Sequence, residues 1–115
     1  MNFKEISKKY PEAFSDVRKS LFETNHVVWY DNCFVVGGGG KPTPIEVSNV
    51  FIFGYLILEY FPAHGIEIGR AERRESIIYC CKYAGTFWAM GDSNIYVGTP
   101  EEAIEKALEI REGQL

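Results

Sequence analysis

One short segment constrains the fold of this chain more than any other feature. Residues 27–36, VVWYDNCFVV, are almost entirely β-branched or aromatic on both sides of Asp31-Asn32. Asp and Asn tolerate the positive φ angles of a tight turn, so the segment predicts a two-stranded hairpin, with one continuous strand as the alternative. One face of such a hairpin carries Val27, Trp29, Phe34 and Val36, and the other carries Val28, Tyr30, Cys33 and Val35. Because both faces are apolar, both must be covered, by helices, another sheet or a second chain.

The N-terminal segment has the period of a helix. Its apolar residues fall three and four apart from Phe3 to Leu21, and Pro11 interrupts this stripe. A proline inside a helix removes a hydrogen bond and clashes with the preceding turn. We therefore expect a short first helix, a break near Tyr10, and a main helix from about Pro11 to Glu23.

The most apolar stretch, Val50 to Leu58, lies within a segment that runs from Asn49 to about Phe61. It predicts a buried helix with Ser48 or Asn49 as its cap and Gly65 at its end, because the run is longer than an ordinary strand. A strand is the alternative. Gly54 lowers helix stability inside this run, and its missing side chain would permit close packing.

Strand and turn signals dominate the segment between Gly65 and Thr99. The predicted strands lie at residues 66–68, 76–83, 86–90 and 94–97, and the short turns between them imply an antiparallel meander. The last helix begins with the capping pattern of Thr99, Pro100 and Glu102, buries an apolar stripe and directs an acidic face outward. The fold class is therefore α+β, as one domain over residues 1–115. We expect an antiparallel sheet of four to six strands, covered on one face by two or three helices.

Composition disfavours several classes of function. The formal net charge is −4 and the pI is near 5.2, so the chain is acidic and repels phosphate backbones. Its one basic cluster, Arg70, Arg73 and Arg74, is interrupted by Glu72 and Glu75. We expect neither nucleic acid nor a membrane as partner, since no apolar run approaches the roughly 20 residues of a span. Without a recognisable export signal, the three cysteines indicate reduced thiols and a cytoplasmic protein.

No motif in the chain is specific for a cofactor or a metal. Gly37–Gly40 and Lys41 suggest a phosphate loop, but Val35 and Pro42 stand where that loop needs a glycine and a hydroxyl residue. A flexible loop is the simpler interpretation. The histidines and cysteines have no familiar ligand spacing, so we expect no metal and no cofactor.

The aromatic content of 15% is the remaining signal, because a small core has difficulty holding so many rings. The candidate interface residues are Trp29, Phe34, Phe87 and Trp88. The candidate pocket residues, between helix and sheet, are Tyr30, Asp31, Cys33 and His64. The leading hypothesis is a non-enzymatic protein-interaction or regulatory module that self-associates or binds a protein partner. The alternatives are a small-molecule-binding protein or enzyme, and an acidic inhibitor or immunity-type protein.

Overall fold

The computed structural model of the chain describes residues 2–37, 45–73, 76–83, 95–97 and 99–115, with only the backbone described between residues 70 and 98. The elements in chain order are α1 (Phe3–Lys9), α2 (Pro11–Asn25), β1 (Val27–Tyr30), β2 (Cys33–Val36), β3 (Ile45–Glu46), α3 (Asn49–Tyr55), a π-helical turn (Leu56–Tyr60), α4 (Phe61–Ala63), β4 (Ile66–Arg73), β5 (Ser76–Tyr83), β6 (Ile95–Val97) and α5 (Pro100–Gln114). We refer to α3, the π-helical turn and α4 together as the middle helix.

The α+β class is confirmed, but the predicted sheet is too large. The described strands form two three-stranded antiparallel sheets, in the orders β1-β2-β3 and β4-β5-β6. The prediction placed all of the strands in one antiparallel sheet. In the structure β3 is only two residues long, and the middle helix follows it and separates the two sheets along the chain. Helix α2 packs on β1 and α5, and α5 packs across β4, β5 and β6.

The break between α1 and α2 lies where Pro11 predicts it. Tyr10 leaves the helical region, with φ −129° and ψ 68°, and Pro11 is the first residue of α2. Tyr10 supplies no side-chain cap. The carboxylate of Glu112 accepts hydrogen bonds from the backbone N–H groups of Glu12 (3.2 Å) and Ala13 (2.6 Å) instead. Glu112 therefore caps α2, which corrects the expectation that the whole acidic face of the last helix, Glu112 included, points outward.

The hairpin is confirmed, and the single-strand alternative is wrong. Asp31 and Asn32 have φ angles of 51° and 63°, as a two-residue turn between twisted strands requires. The register pairs Trp29 with Phe34 and Tyr30 with Cys33, so the two predicted faces exist. The face of Trp29 and Phe34 packs on the core. The opposite face remains partly open, and Tyr30 is 63% exposed there.

The middle segment is a helix, and its strand alternative is wrong. The Ser48 hydroxyl accepts a hydrogen bond from the Phe51 N–H (3.3 Å), and Gly65 ends the segment at φ 76°. The expected burial of this helix is confirmed for one face only, the face that meets the core. That face carries Ile52, Tyr55, Leu56, Tyr60 and Phe61. A Cβ at Gly54 would meet no described atom within 4 Å, so Gly54 makes no close approach to the described part of the chain.

The C-terminal half follows its local signals. The Thr99 hydroxyl accepts from the Glu102 N–H (3.2 Å), and the inner stripe of α5 is buried. Strands β4, β5 and β6 form the antiparallel meander, with β4 extending to Arg73 rather than ending at Ile68. The predicted strand at residues 86–90 and the glycine loop at residues 38–44 lie outside the described residues.

Candidate functional site

The outward face of the middle helix carries an apolar surface that we call the outer stripe, formed by Val50, Phe51, Gly54 and Leu58. These positions recur at the spacing of one helix face, opposite the buried Ile52. The exposed fractions are 80% for Val50, 45% for Phe51 and 76% for Leu58. Single exposed apolar residues are ordinary on protein surfaces, whereas a group of large ones on one face is typical of an interaction surface.

Gly54 shapes the centre of the outer stripe. A shallow depression of about 380 Å³ lies there, lined by Asn25, Val50, Phe51, Gly54, Tyr55, Leu58 and Glu59. Because a Cβ on Gly54 would point into open space, the missing side chain forms the floor of this depression. Among the described residues that line it, Glu59 is the charged one. The depression therefore offers shape and apolar area rather than a set of polar ligands.

A polar cluster lies on another side of the middle helix, around the carboxylate of Asp16. The Tyr60 hydroxyl and Arg111 Nη2 both donate to Asp16 Oδ2, at 2.6 Å and 3.1 Å. Arg111 Nε also donates to the Tyr60 hydroxyl at 3.2 Å. The His64 ring stacks edge-on against Tyr60, with ring centroids 4.8 Å apart. The cluster joins α2, the middle helix and α5 through charge-assisted hydrogen bonds.

The protonation of this cluster follows from burial and charge. Partial burial alone would raise the pKa of Asp16, but hydrogen bonds from Tyr60 and Arg111 outweigh it and hold that pKa below its usual value. Burial, and then the hydrogen bond to Asp16, raise the pKa of Tyr60. Burial and the nearby Arg111 charge lower the pKa of His64. At neutral pH the cluster therefore holds a carboxylate, a guanidinium, a phenol and a neutral imidazole.

The geometry of the cluster suits a structural tie better than a catalytic pair. His64 Nε2 lies 3.7 Å from Asp16 Oδ2, which is longer than a hydrogen bond, so Asp16 does not orient the imidazole as an acid–base pair would. A cleft of about 340 Å³ lies beside His64, lined by the hydroxyl residues Ser20, Thr24, Tyr55 and Tyr60 and by Asn25, Glu59 and Ala63. The hydroxyls of Ser20 and Tyr55 are hydrogen-bonded to each other.

The structure places two of the predicted interface residues in an interior cluster of aromatic rings. Phe34 is only 2% exposed, which corrects the outward position expected of it. Trp29 is half-buried, and its ring lies 4.9 Å from those of Phe14 and Phe34. Much of the aromatic excess is therefore held inside the chain. Phe87 and Trp88 lie outside the described residues.

The four predicted pocket residues lie in two places. Tyr30, Asp31 and Cys33 form the tip of the β1–β2 hairpin, where the Cys33 thiol donates to the Tyr30 carbonyl at 3.2 Å. His64 lies at the end of the middle helix, beside Asp16 and Tyr60, and no residue of the hairpin tip lines the cleft beside it. The prediction also missed the outer stripe. Its signal is an apolar run that surrounds the helix, since a helix that buries one face needs apolar residues only there.

Among the residues whose side chains are described, no three metal-ligating groups come together. None of the described helices combines the length and apolarity that crossing a membrane takes. No protein-family model, curated protein or solved structure matches this chain.

Proposed function

We propose that this chain is a self-associating protein-interaction module, and that the outer stripe is its contact with a second copy. The observation that carries the proposal is the exposure of Val50, Phe51 and Leu58 together on one helix face. Removing apolar surface from water favours association by about 25 cal/mol per Å². Covering the side chains of Val50, Phe51 and Leu58 with a second copy would therefore make association more favourable.

The arrangement around Gly54 supports a second copy as the occupant. Val50 lies four residues before Gly54, and Leu58 lies four residues after it. A two-fold axis through Gly54 would place Val50 of each copy against Leu58 of the other, which gives two equivalent contacts. Such a self-complementary contact is the commonest way in which identical chains pair. The missing Cβ lets the two helix axes approach closely at the axis.

The size of the stripe sets the strength of the expected dimer. Three partly exposed apolar side chains present on the order of 300–400 Å², whereas a stable interface buries about 800 Å² per partner. The outer stripe alone therefore predicts a weak, concentration-dependent dimer, with neighbouring residues supplying the rest of the contact.

The substitution Leu58→Glu tests this proposal. Leu58 is 76% exposed, so a glutamate there leaves the core of the monomer intact and places a charge in the contact. We expect size-exclusion chromatography with light scattering to show the unmodified chain above its monomer mass at high concentration, and the variant at the monomer mass.

Leu115→Glu is the matched control, since Leu115 is also exposed, at 48%, and lies outside the stripe. It introduces the same charge and should leave self-association unchanged. If both variants lower the mass equally, net charge rather than the stripe governs association, and the proposed contact is wrong. Unchanged association in Leu58→Glu would also refute it.

A further inference from the structure

A second groove lies beside strand β1, away from the outer stripe. We call it the edge groove. It has a volume of about 330 Å³ and is lined by Ser15, Arg18, Lys19 and Phe22 of α2 and by Val27, Val28 and Trp29 of β1. Successive residues of a strand point to opposite faces of the sheet. A groove that all three strand residues border therefore runs along the edge of β1 rather than over one face.

Along one edge of β1, backbone groups have no partner strand among the described residues. In the part of the chain that the structure describes, β1 pairs with β2 alone. In a two-residue hairpin the closing pair, Tyr30 and Cys33, exchanges two backbone hydrogen bonds. The next pair, Trp29 and Phe34, is not hydrogen-bonded, so the backbone N–H and C=O groups of these two residues point away from the opposite strand. The Phe34 carbonyl accordingly accepts from the Val47 N–H (2.8 Å), on the side away from β1. By the same alternation, the N–H and C=O of Trp29 point to the edge groove.

The side chains of the edge groove add charge and an aromatic surface. Arg18 and Lys19 are exposed, and neither makes an ion pair with the described part of the chain. Phe22 is 55% exposed beside them. Among the described residues that line the groove, the charged ones are Arg18 and Lys19, although the chain as a whole has a formal net charge of −4. The groove is therefore complementary to an acidic partner.

We propose that the edge groove binds an extended acidic peptide segment of a partner protein, which adds to the sheet as a strand beside β1. The peptide backbone would pair with Trp29, as in other cases of strand addition to an exposed edge. Its acidic side chains would face Arg18 and Lys19, and an apolar side chain would cover Phe22. A strand edge repeats its donors and acceptors at the spacing of a peptide backbone, which favours a peptide over a nucleic acid.

A synthetic peptide tests this inference on the full chain. The probe is a fluorescein-labelled peptide of eight residues that alternates glutamate with valine and carries one central tyrosine. We expect saturable binding by fluorescence anisotropy that weakens as salt is raised. We also expect slower hydrogen exchange at the Trp29 amide when the peptide is bound. A peptide with lysine in place of glutamate should bind at least about tenfold more weakly.

Charge reversal separates the edge groove from general electrostatics. The double variant Arg18→Glu with Lys19→Glu should weaken binding about tenfold or more. Lys4→Glu with Lys8→Glu, on exposed positions of α1, is the matched control and should change binding less than twofold. Each substitution changes the charge by −2, so either pair takes the formal net charge from −4 to −8.

Three results would overturn the inference. They are equal weakening by both charge-reversed pairs, peptide binding without protection of the Trp29 amide, and tighter binding of single-stranded oligonucleotide than of the acidic peptide. The last result would assign the groove to nucleic acid. All of these measurements are independent of the outer stripe, because Leu58→Glu should bind the peptide as the unmodified chain does.

Discussion

The substitution Gly54→Ala separates the stability of the monomer from its association. Gly54 lies inside the middle helix, where glycine is less stable than alanine because it has more conformational freedom to lose on folding. In the interior of an exposed helix this difference is about 0.8–1.0 kcal/mol. An added Cβ meets nothing within 4 Å, so no steric penalty offsets the gain. We therefore expect the monomer to become more stable by about that amount.

Urea unfolding measures this gain best in a Leu58→Glu background, which keeps the chain monomeric and removes any contribution from association. For a chain of 115 residues, 1 kcal/mol corresponds to a rise in Tm of roughly 4 °C. Gly113→Ala is the matched control. Its Cβ is equally unobstructed, but Gly113 lies in the last turn of α5, where helices fray, so the gain should be smaller.

Without the Leu58→Glu substitution, Gly54→Ala should weaken self-association, because two methyl groups would meet at the proposed two-fold axis. Gly54→Ala is therefore expected to raise the stability of the monomer and to lower the association constant of the dimer. No gain in monomer stability would refute the open helical environment assigned to Gly54. A gain in stability together with an unchanged association constant would refute the placement of the axis at Gly54.

Two further predictions concern the contacts that join the helices. Glu112→Ala should lower the free energy of unfolding by about 1–2 kcal/mol, because two N–H groups at the start of α2 lose their acceptor. Glu109→Ala, whose carboxylate pairs with the partly exposed Lys106, should cost less than about 0.5 kcal/mol, and equal losses in urea unfolding would contradict the capping role. Burial, followed by the charge of Arg111, lowers the pKa of His64, so the unfolded chain binds a proton at a pH where the folded chain does not. The free energy of unfolding should therefore decline as pH falls below about 6.5, the ordinary pKa of histidine. This dependence on pH should be weaker in His64→Gln, and an unchanged dependence would show that His64 is not its cause.

Local chemistry explains which parts of the fold could be predicted. The turn at Asp31-Asn32, the break before Pro11 and the cap at Thr99 depend on residues within a few positions of one another. Each of these signals acts through backbone geometry or a short hydrogen bond. These local preferences agree with the tertiary fold, so packing leaves the predicted local structures unchanged.

The outward face of the middle helix was not predictable in the same way. The run from residue 50 to 61 is apolar nearly all round, so its periodicity does not indicate which side meets the core. Only the structure shows that Ile52 faces inward while Val50 and Leu58 face outward. The exposed rings likewise include Phe22, Phe51 and Tyr30 rather than Phe34, because tertiary contacts decide which aromatic residues are buried.

Long-range polar contacts were beyond sequence reasoning for a related reason. Glu112 caps α2 across 100 residues of sequence, and Arg111 reaches Asp16 across 95. No spacing rule links such positions. The acidic face of the last helix is, in the structure, partly used to hold α1 and α2, since Glu105 also pairs with Lys9 at 2.7 Å.

The mass of the unmodified chain in solution tests the central claim most directly. In sedimentation equilibrium over a wide concentration range, the account predicts a mass that rises from 13.1 kDa toward twice that value, as a weak two-fold dimer requires. A mass that stays at 13.1 kDa up to millimolar concentration would contradict self-association through the outer stripe.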